Sequence, residues 1–221
     1  MKISIIIPVY NEEKTIEKTI REVINSKIPY KKEIIAVNDG SIDKTSEKLA
    51  KFKNKVKIIE YSKNLGKATA VKKAINLATG KIILLQDADL EYGPSEYISL
   101  IKPIAEKKVC VVRGSRFLNP KRTKQKKLFY FGNITMTKLT NILYKTQLTD
   151  VLSGCMAIKT DLIKKINIKS KRFMLEAELT AKLAKKKIKM YEIPINYLPR
   201  TNKEGKSKKT TTAIKLFWRI L

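Results

Sequence analysis

Residues 82–92 read IILLQDADLEY: four apolar residues, a glutamine, then carboxylates at 87, 89 and 91. A short aliphatic run bounded by polar residues is the pattern of a strand buried on both faces. Three acids so close together are unusual for this chain, in which 48 lysines and arginines face 20 acids, a formal net charge of +28. Strand alternation would aim Asp87 and Asp89 the same way, and a turn would converge them. Two carboxylates that close repel unless a cation lies between them. Hard ions such as Mg2+ and Mn2+ take oxygen ligands and leave room for phosphates, and Glu91 could add a further oxygen. The competing reading is structural, since short acidic residues commonly cap turns.

Outward from this stretch, apolar β-branched runs recur at residues 3–9, 34–37 and 56–61. Helical spacing lies between them at 12–25, where Ile16, Ile20, Val23 and Ile24 share a face, at 43–52 and at 68–78. Strand and helix alternate, which predicts an α/β fold: a mostly parallel sheet with helices on both faces and ligands beyond the carboxyl ends of its strands. Polar residues gather at those ends. Tyr10, Asn11 and Glu12 come after the first run, 38–41 (NDGS) after the second, and Asp87 and Asp89 after the fourth. Asp39 reads equally as a turn residue before a helix, and Glu12 as the start of one.

After Pro94 the pattern loosens to a helix at 95–106, a strand at 109–113, a basic amphipathic stretch at 121–145, a strand at 155–159, a helix at 174–186 and a strand at 189–193. A charged loop at 200–209 and a closing helix at 210–221 complete the chain. Length and 43% hydrophobic content favour one domain over residues 1–221, with halves 1–94 and 95–221.

Composition removes several classes. The chain has no histidine, which excludes Ser-His-Asp and Cys-His nucleophile systems and the usual zinc sets. Cys110 and Cys155 stand far apart in apolar surroundings, as free thiols in a reducing compartment do. No apolar run reaches 18 residues and 3–9 is too short for a signal core, so neither a membrane span nor export is expected. The basic excess draws polyanions, whether nucleic acid, anionic lipid or phosphorylated substrates, or simply decorates solvated faces. Gly66-Lys67 is not a Walker loop, and no dinucleotide fingerprint or glycine-rich phosphate loop comes after the first strand, which speaks against a nucleotidyltransferase. A nucleic-acid-binding module leaves the acids at 87–91 unexplained, because they repel a phosphate backbone.

SIIIPVYNEE (4–13), VNDGSIDKT (37–45), NLGKATAVKKAINLATG (64–80), DADLEY (87–92), GSRF (114–117), SGCMAIKTD (153–161) and RFMLEAEL (172–179) occur in the order and spacing of glycosyltransferase family 2. The chain most resembles the branch of dolichyl-phosphate mannose and glucose synthases and their bacterial polyprenyl-phosphate relatives. The resemblance implies a GT-A fold and inverting transfer of a sugar from a UDP- or GDP-sugar, with Mg2+ or Mn2+ holding the diphosphate. Residues 1–94 become the nucleotide-sugar half and 95–221 the acceptor half. Pro8, Tyr10 and Glu12 would line the nucleotide pocket, Asp39 would meet base or ribose, and Lys67 would lie nearby. Asp87, Asp89 and Glu91 match the metal and donor-sugar motif. Arg116 matches an arginine that grips phosphate. Asp150, Ser153 and Gly154 begin the acceptor loop, Glu178 is the acid of the helix facing the acceptor, and Arg200, Ser207 and Lys208 resemble the closing basic motif. Asp89, Arg116 and Glu178 are the expected catalytic residues.

The chain departs from the family's pattern at Asn38, at Glu91 and in the stretched RTNKEGKSK (200–208). Glu176 and Glu178 also read as solvated helix positions, and 200–208 as a solvated charge run. A lipid-phosphate acceptor, polyprenyl or dolichyl, arrives ionised and needs no general base, which suits a chain without histidine; a polysaccharide or cell-surface glycan is the alternative. In 121–145, Leu128, Phe131, Leu139, Ile142 and Leu143 share a face beside KRTKQKK, as in helices at anionic membrane surfaces, or as in a helix packed on a core. The tail 213–221, AIKLFWRIL, could be a second such segment with Trp218 at headgroup level. The expected location is cytoplasmic, peripheral on the cytoplasmic membrane face, with no specific nucleic-acid partner.

Overall fold

The computed structural model describes residues 1–118, 127–170 and 175–200; Ser207, Lys208, the lysine cluster before residue 127 and the expected closing helix lie outside them. The strands are β1 (Lys2–Val9), β2 (Lys31–Asn38), β3 (Lys57–Glu60), β4 (Ile82–Leu85), β5 (Val111–Ser115), β6 (Met156–Lys159) and β7 (Met190–Pro194). They form one sheet in the order β3-β2-β1-β4-β6-β5-β7. Pairing is parallel except at β6, which runs against both β4 and β5. The mostly parallel α/β sheet expected of the sequence is therefore present, with one reversed strand.

The helices are α1 (Ile16–Asn25), α2 (Thr45–Ala50), α3 (Lys67–Leu77), α4 (Tyr97–Ala105), α5 (Lys127–Tyr144), α6 (Thr160–Lys164) and α7 (Leu175–Lys185). They cover both faces because the strands alternate. Ile3, Ile5 and Ile7 of β1 pack with Ile16, Ile20 and Val23 of α1 and with Leu100, Ile101 and Ile104 of α4. Ile6 points the other way, into a cluster with Val71 and Ala74 of α3 and Leu175, Leu179 and Leu183 of α7. Each such aliphatic side chain contributes roughly 1.5–3 kcal/mol by leaving water, so the two layers fix the register of β1 between them. Helix α1 begins four residues later than expected, because the Glu12 carbonyl closes a turn onto Thr15 and Ile16 first.

A proline sits in the central strand without breaking a ladder. The Ile6 carbonyl accepts from Gln86 on the β4 side and the Val9 carbonyl accepts from Asp39 on the β2 side. Pro8 is in phase with Ile6, so its missing N–H would point past Leu85, the last paired residue of β4. The sheet thus opens beside Pro8. There the chain turns from building outward through β2 and β3 to building in the other direction through β4, the switch at which open α/β sheets bind ligands.

Helix α5 packs one side on the core and leaves another exposed. Met136, Thr137 and Thr140 are buried, and Met136 packs with Leu148, Val151 and Ala177. Phe131 and Ile142 are 72% and 76% exposed, and lie nearly over one another eleven residues apart. Among the described residues, no helix is long and apolar enough to cross a membrane.

Candidate active site

The loops after β1, β2 and β4 build the rim. Asn11 takes the left-handed conformation (φ 52°) that asparagine tolerates, donates its N–H to Ser41 Oγ at 2.9 Å and accepts from the Ile42 N–H on its side-chain oxygen. The Glu12 N–H donates to Thr45 Oγ1, so the first two loops are stitched together. Gly40 (φ 70°) lies against the backbone of 63–64, where a Cβ would fall 2.5 Å from the Lys63 carbonyl carbon. Asp39 is buried and accepts from the N–H groups of Leu65 (2.9 Å) and Gly66 (2.7 Å), which fastens the start of α3 and presents Lys67 to the rim.

The acidic turn is held from below by Gln86. Its amide donates to the carbonyls of Asp87 and Tyr92 and accepts from the Tyr97 hydroxyl. Between Asp89 and Glu91, Leu90 adopts φ 59°, a strained conformation for a bulky residue and one that sharpens the turn.

Asp87, Asp89 and Glu91 come together in one turn but face different partners. Asp87 pairs with Lys67 at 2.6 Å and accepts from the Tyr92 hydroxyl. Lys67 also pairs with Glu176 of α7 at 2.7 Å. Burial works against the charge of Lys67, yet Asp87 and Glu176 outweigh it and hold the ammonium well above an ordinary lysine. Burial opposes the charge of Asp87 too, and Lys67 more than compensates, leaving its carboxyl below the usual range. Glu91 accepts from the Tyr197 hydroxyl (2.9 Å) and from the Arg200 N–H (3.1 Å). Asp89 is the under-compensated member. Burial first, and then the neighbouring charges of Asp87 and Glu91, push its carboxyl up to about 7, although Arg200 stands 3.5 Å away. A half-buried carboxyl raised by desolvation and by neighbouring carboxylates, in a set of hard oxygen donors, fits a divalent cation. Among the described residues no three acidic or thiol side chains already converge as a metal cluster.

The remaining expected residues divide. Tyr10 is 43% exposed at the lip and Pro8 is buried beneath it. Gly154 lies against Asp87, Tyr92 and Lys67. Ser153 is buried, its hydroxyl accepting from the Cys155 N–H. Arg116 directs its fork at Asp150, with Nε–Oδ2 2.6 Å and Nη2–Oδ1 2.8 Å, so two of its donors are committed within the protein. Glu192 in turn accepts from the Thr149 and Asp150 N–H groups. Glu178 turns away from the rim: its carboxylate accepts from the Lys169 and Ser170 N–H groups and pairs with Lys182. The acid that α7 brings to the rim is Glu176.

Sequence reasoning passed over Tyr92, Tyr197 and Arg113. Tyr92 closes the acidic motif, but nothing in the sequence says that its hydroxyl returns to Asp87. Arg113 is fully buried beneath the 151–153 loop, donating to the carbonyls of Val151 and Ser153. Its strand, VVRGS, carries no sign of this.

The family model described as glycosyl transferase family 2 matches residues 4–166. A dolichol-phosphate mannosyltransferase of Pyrococcus furiosus is 28% identical over 96% of this chain, which spans 60% of that protein. The UDP-N-acetylglucosamine–dolichyl-phosphate N-acetylglucosaminyltransferase of Methanococcus voltae is 29% identical over 99% of this chain and 94% of its own length. Among solved structures, glucosyl-3-phosphoglycerate synthase of Mycobacterium tuberculosis, in complex with Mn2+, UDP-glucose and phosphoglyceric acid, superposes with a TM-score of 0.73 at 17% identity. That likeness covers 100% of this chain and 78% of the other.

Proposed function

The chain belongs to glycosyl transferase family 2, and from that premise we propose that it transfers a sugar from a nucleoside-diphosphate donor to a polyprenyl or dolichyl phosphate, with inversion at the anomeric carbon. Asp89, flanked by Asp87 and Glu91, would hold a divalent ion, which supplies charge neutralisation for the departing diphosphate. Tyr10 and the stitched loops at 10–12 and 39–42 form the nucleotide side of the rim. Lys67 stays charged between Asp87 and Glu176 and fixes a positive charge where the diphosphate leaves. A phosphate monoester is already ionised near neutral pH, so attack from the opposite face of the sugar requires no proton transfer. Glu178, committed to backbone amides, is then not missed as a base.

One observation carries the lipid-phosphate reading: the acidic rim is continuous with the exposed apolar side of α5. Glu91 accepts from Tyr197, and the Arg116 guanidinium stacks 5.3 Å over the Tyr197 ring and 5.5 Å over Phe117. Phe117 meets Tyr130 of α5 edge-on at 5.1 Å, and Phe131 and Ile142 continue along the helix, with Lys138 and Lys145 also exposed. Apolar side chains beside lysines suit an anionic membrane surface. The same two chemistries, anionic head and hydrocarbon tail, define a polyprenyl phosphate. The relatives from Pyrococcus and Methanococcus carry dolichol- or dolichyl-phosphate in their names.

The test is transfer from a panel of labelled UDP- and GDP-sugars with Mn2+ to a polyprenyl phosphate in detergent, with the anomer of the product read by NMR. Transfer to glycans alone would remove the lipid acceptor, and full activity in excess chelator would remove the metal.

A further inference from the structure

Residues 195–200 leave β7 and pass back over the acidic turn. The Leu198 N–H donates to the Glu91 carbonyl at 2.8 Å, the Arg200 N–H to one Glu91 carboxylate oxygen at 3.1 Å, and the Tyr197 hydroxyl to the other at 2.9 Å. This strap delivers the Arg200 side chain, 20% exposed, between two carboxylates from different loops. Nη1 lies 2.9 Å from Glu12 Oε2 and Nη2 lies 3.5 Å from Asp89 Oδ2.

The hold on Asp89 is loose. Among the described residues the buried Arg200 Nε finds no acceptor, and the contact with Asp89 exceeds the roughly 2.7–2.9 Å of a charge-assisted hydrogen bond. Contrast Arg116, whose fork meets Asp150 at 2.6 and 2.8 Å. The Arg200 guanidinium is bonded to Glu12 but reaches Asp89 only at 3.5 Å, held there by charge, and it stands where a divalent ion at Asp89 would place two more positive charges.

We propose that Arg200 is the built-in counter-ion of the metal-free rim, competing with the divalent ion for Asp89 and moving off with the 195–200 strap when the ion binds. The inference rests on the divalent-ion reading of Asp89. It goes beyond it in assigning a residue that opposes the metal in the absence of nucleotide. A merely structural Arg200 would have the opposite signature: removing it would loosen the rim and weaken metal binding.

The experiment titrates Mn2+ alone, without nucleotide and at low ionic strength, following free Mn2+ by electron paramagnetic resonance. It compares the wild-type protein, Arg200→Gln, Arg200→Lys and Asp89→Asn. Arg200→Gln should bind Mn2+ on the order of five- to tenfold more tightly than wild type, and Arg200→Lys, which keeps the charge, should stay within about twofold of it. Asp89→Asn should lose binding. Equal or weaker binding by a cooperatively melting Arg200→Gln overturns the counter-ion while leaving the metal in place. Failure of wild type and every variant to bind Mn2+, with or without UDP, overturns the divalent-ion reading and this inference with it. Wild-type protein supplies an independent measurement should Arg200→Gln not fold. Mn2+ should accelerate hydrogen exchange at the Leu198 and Arg200 amides, and unchanged protection with Mn2+ bound rejects the displacement.

Discussion

Gly154→Ala tests whether the rim is as tightly built as its distances indicate. A methyl group at this position would fall 2.5 Å from Asp87 Oδ2, closer still to the Tyr92 hydroxyl, and 3.2 Å from Lys67 Nζ. Ordinary contact needs about 3.5 Å, so the overlap is about 1 Å. Neither side yields easily. The 149–154 loop is tied by the Arg116–Asp150 fork and by Arg113 on the carbonyls of Val151 and Ser153. Asp87 is tied to Lys67 and Tyr92. Overpacking of this kind costs about 1–3 kcal/mol. If Asp87 rotates away to relieve it, the buried Tyr92 hydroxyl loses its acceptor, a loss of similar size.

An overall destabilisation of about 2–3 kcal/mol lowers the melting temperature of a 221-residue chain by about 5 °C. Circular dichroism melts and urea titrations read this directly. Gly132→Ala is the internal control: it lies within α5, a Cβ there meets nothing within 4 Å, and alanine in a helix interior should stabilise by up to about 1 kcal/mol. Opposite signs at the two glycines are expected. A Gly154→Ala protein with wild-type stability and wild-type UDP affinity would refute the reasoning, because the methyl would then have found room between groups placed in contact.

Lys67→Met strands Asp87 and Glu176 in a buried site without their shared cation and should cost about 3–5 kcal/mol in urea unfolding; adding Glu176→Gln should recover part of the loss, and additive losses would count against the bridge. At Glu178, burial would raise the carboxyl, but hydrogen bonds led by Lys182 and Ser170 outweigh it and hold it at about 2. The stabilisation is therefore complete above the ordinary value near 4.5 and fades as pH falls toward 2. Glu178→Gln should be less stable than wild type by about 1 kcal/mol at pH 7, the gap narrowing below pH 4.5 and closing only as pH falls to about 2, whereas a constant gap would dismiss the charge. Phe131→Ser with Ile142→Ser should weaken sedimentation with anionic liposomes by about tenfold or more without shifting the melt, since each side chain adds about 1 kcal/mol when it leaves water. Unchanged binding would detach α5 from the membrane reading.

Much of the sheet was legible because β1, β2 and β4 carry apolar runs with polar residues after them, a signal that does not depend on their neighbours. Direction was less so. Met156–Lys159 reads the same whether it runs with or against β4, and only the pairing of Leu85 with Met156 and Ile82 with Lys159 shows the reversal. Helix α6 was missed because five residues give barely one turn of periodicity. The acids of the rim were visible for a geometric reason: parallel α/β chains present the residues after each strand at one edge.

The partners of those acids were not visible, and burial explains why. Glu176 and Glu178 are two residues apart on a helix and so cannot share a face. Leu175, Leu179 and Leu183 seat α7 on the sheet, Glu176 joins Lys67 and Glu178 takes the amides at 169–170, a choice made by packing on a surface far away in sequence. Lys67 meets Asp87 across 20 positions of chain and Arg200 meets Glu12 across 188. With 48 basic residues for 20 acids, nearly any acid could find a cation at the surface, where such pairs are worth little. Lys67 and Arg200 differ in being only 19% and 20% exposed, so their charges act through a medium that screens them poorly. Lys67 meets both of its carboxylates at 2.6 and 2.7 Å, whereas Arg200 meets Glu12 closely and Asp89 only at 3.5 Å, so on the proposal above the first is a fixed part of the rim and the second is the cation that a stronger one displaces from Asp89.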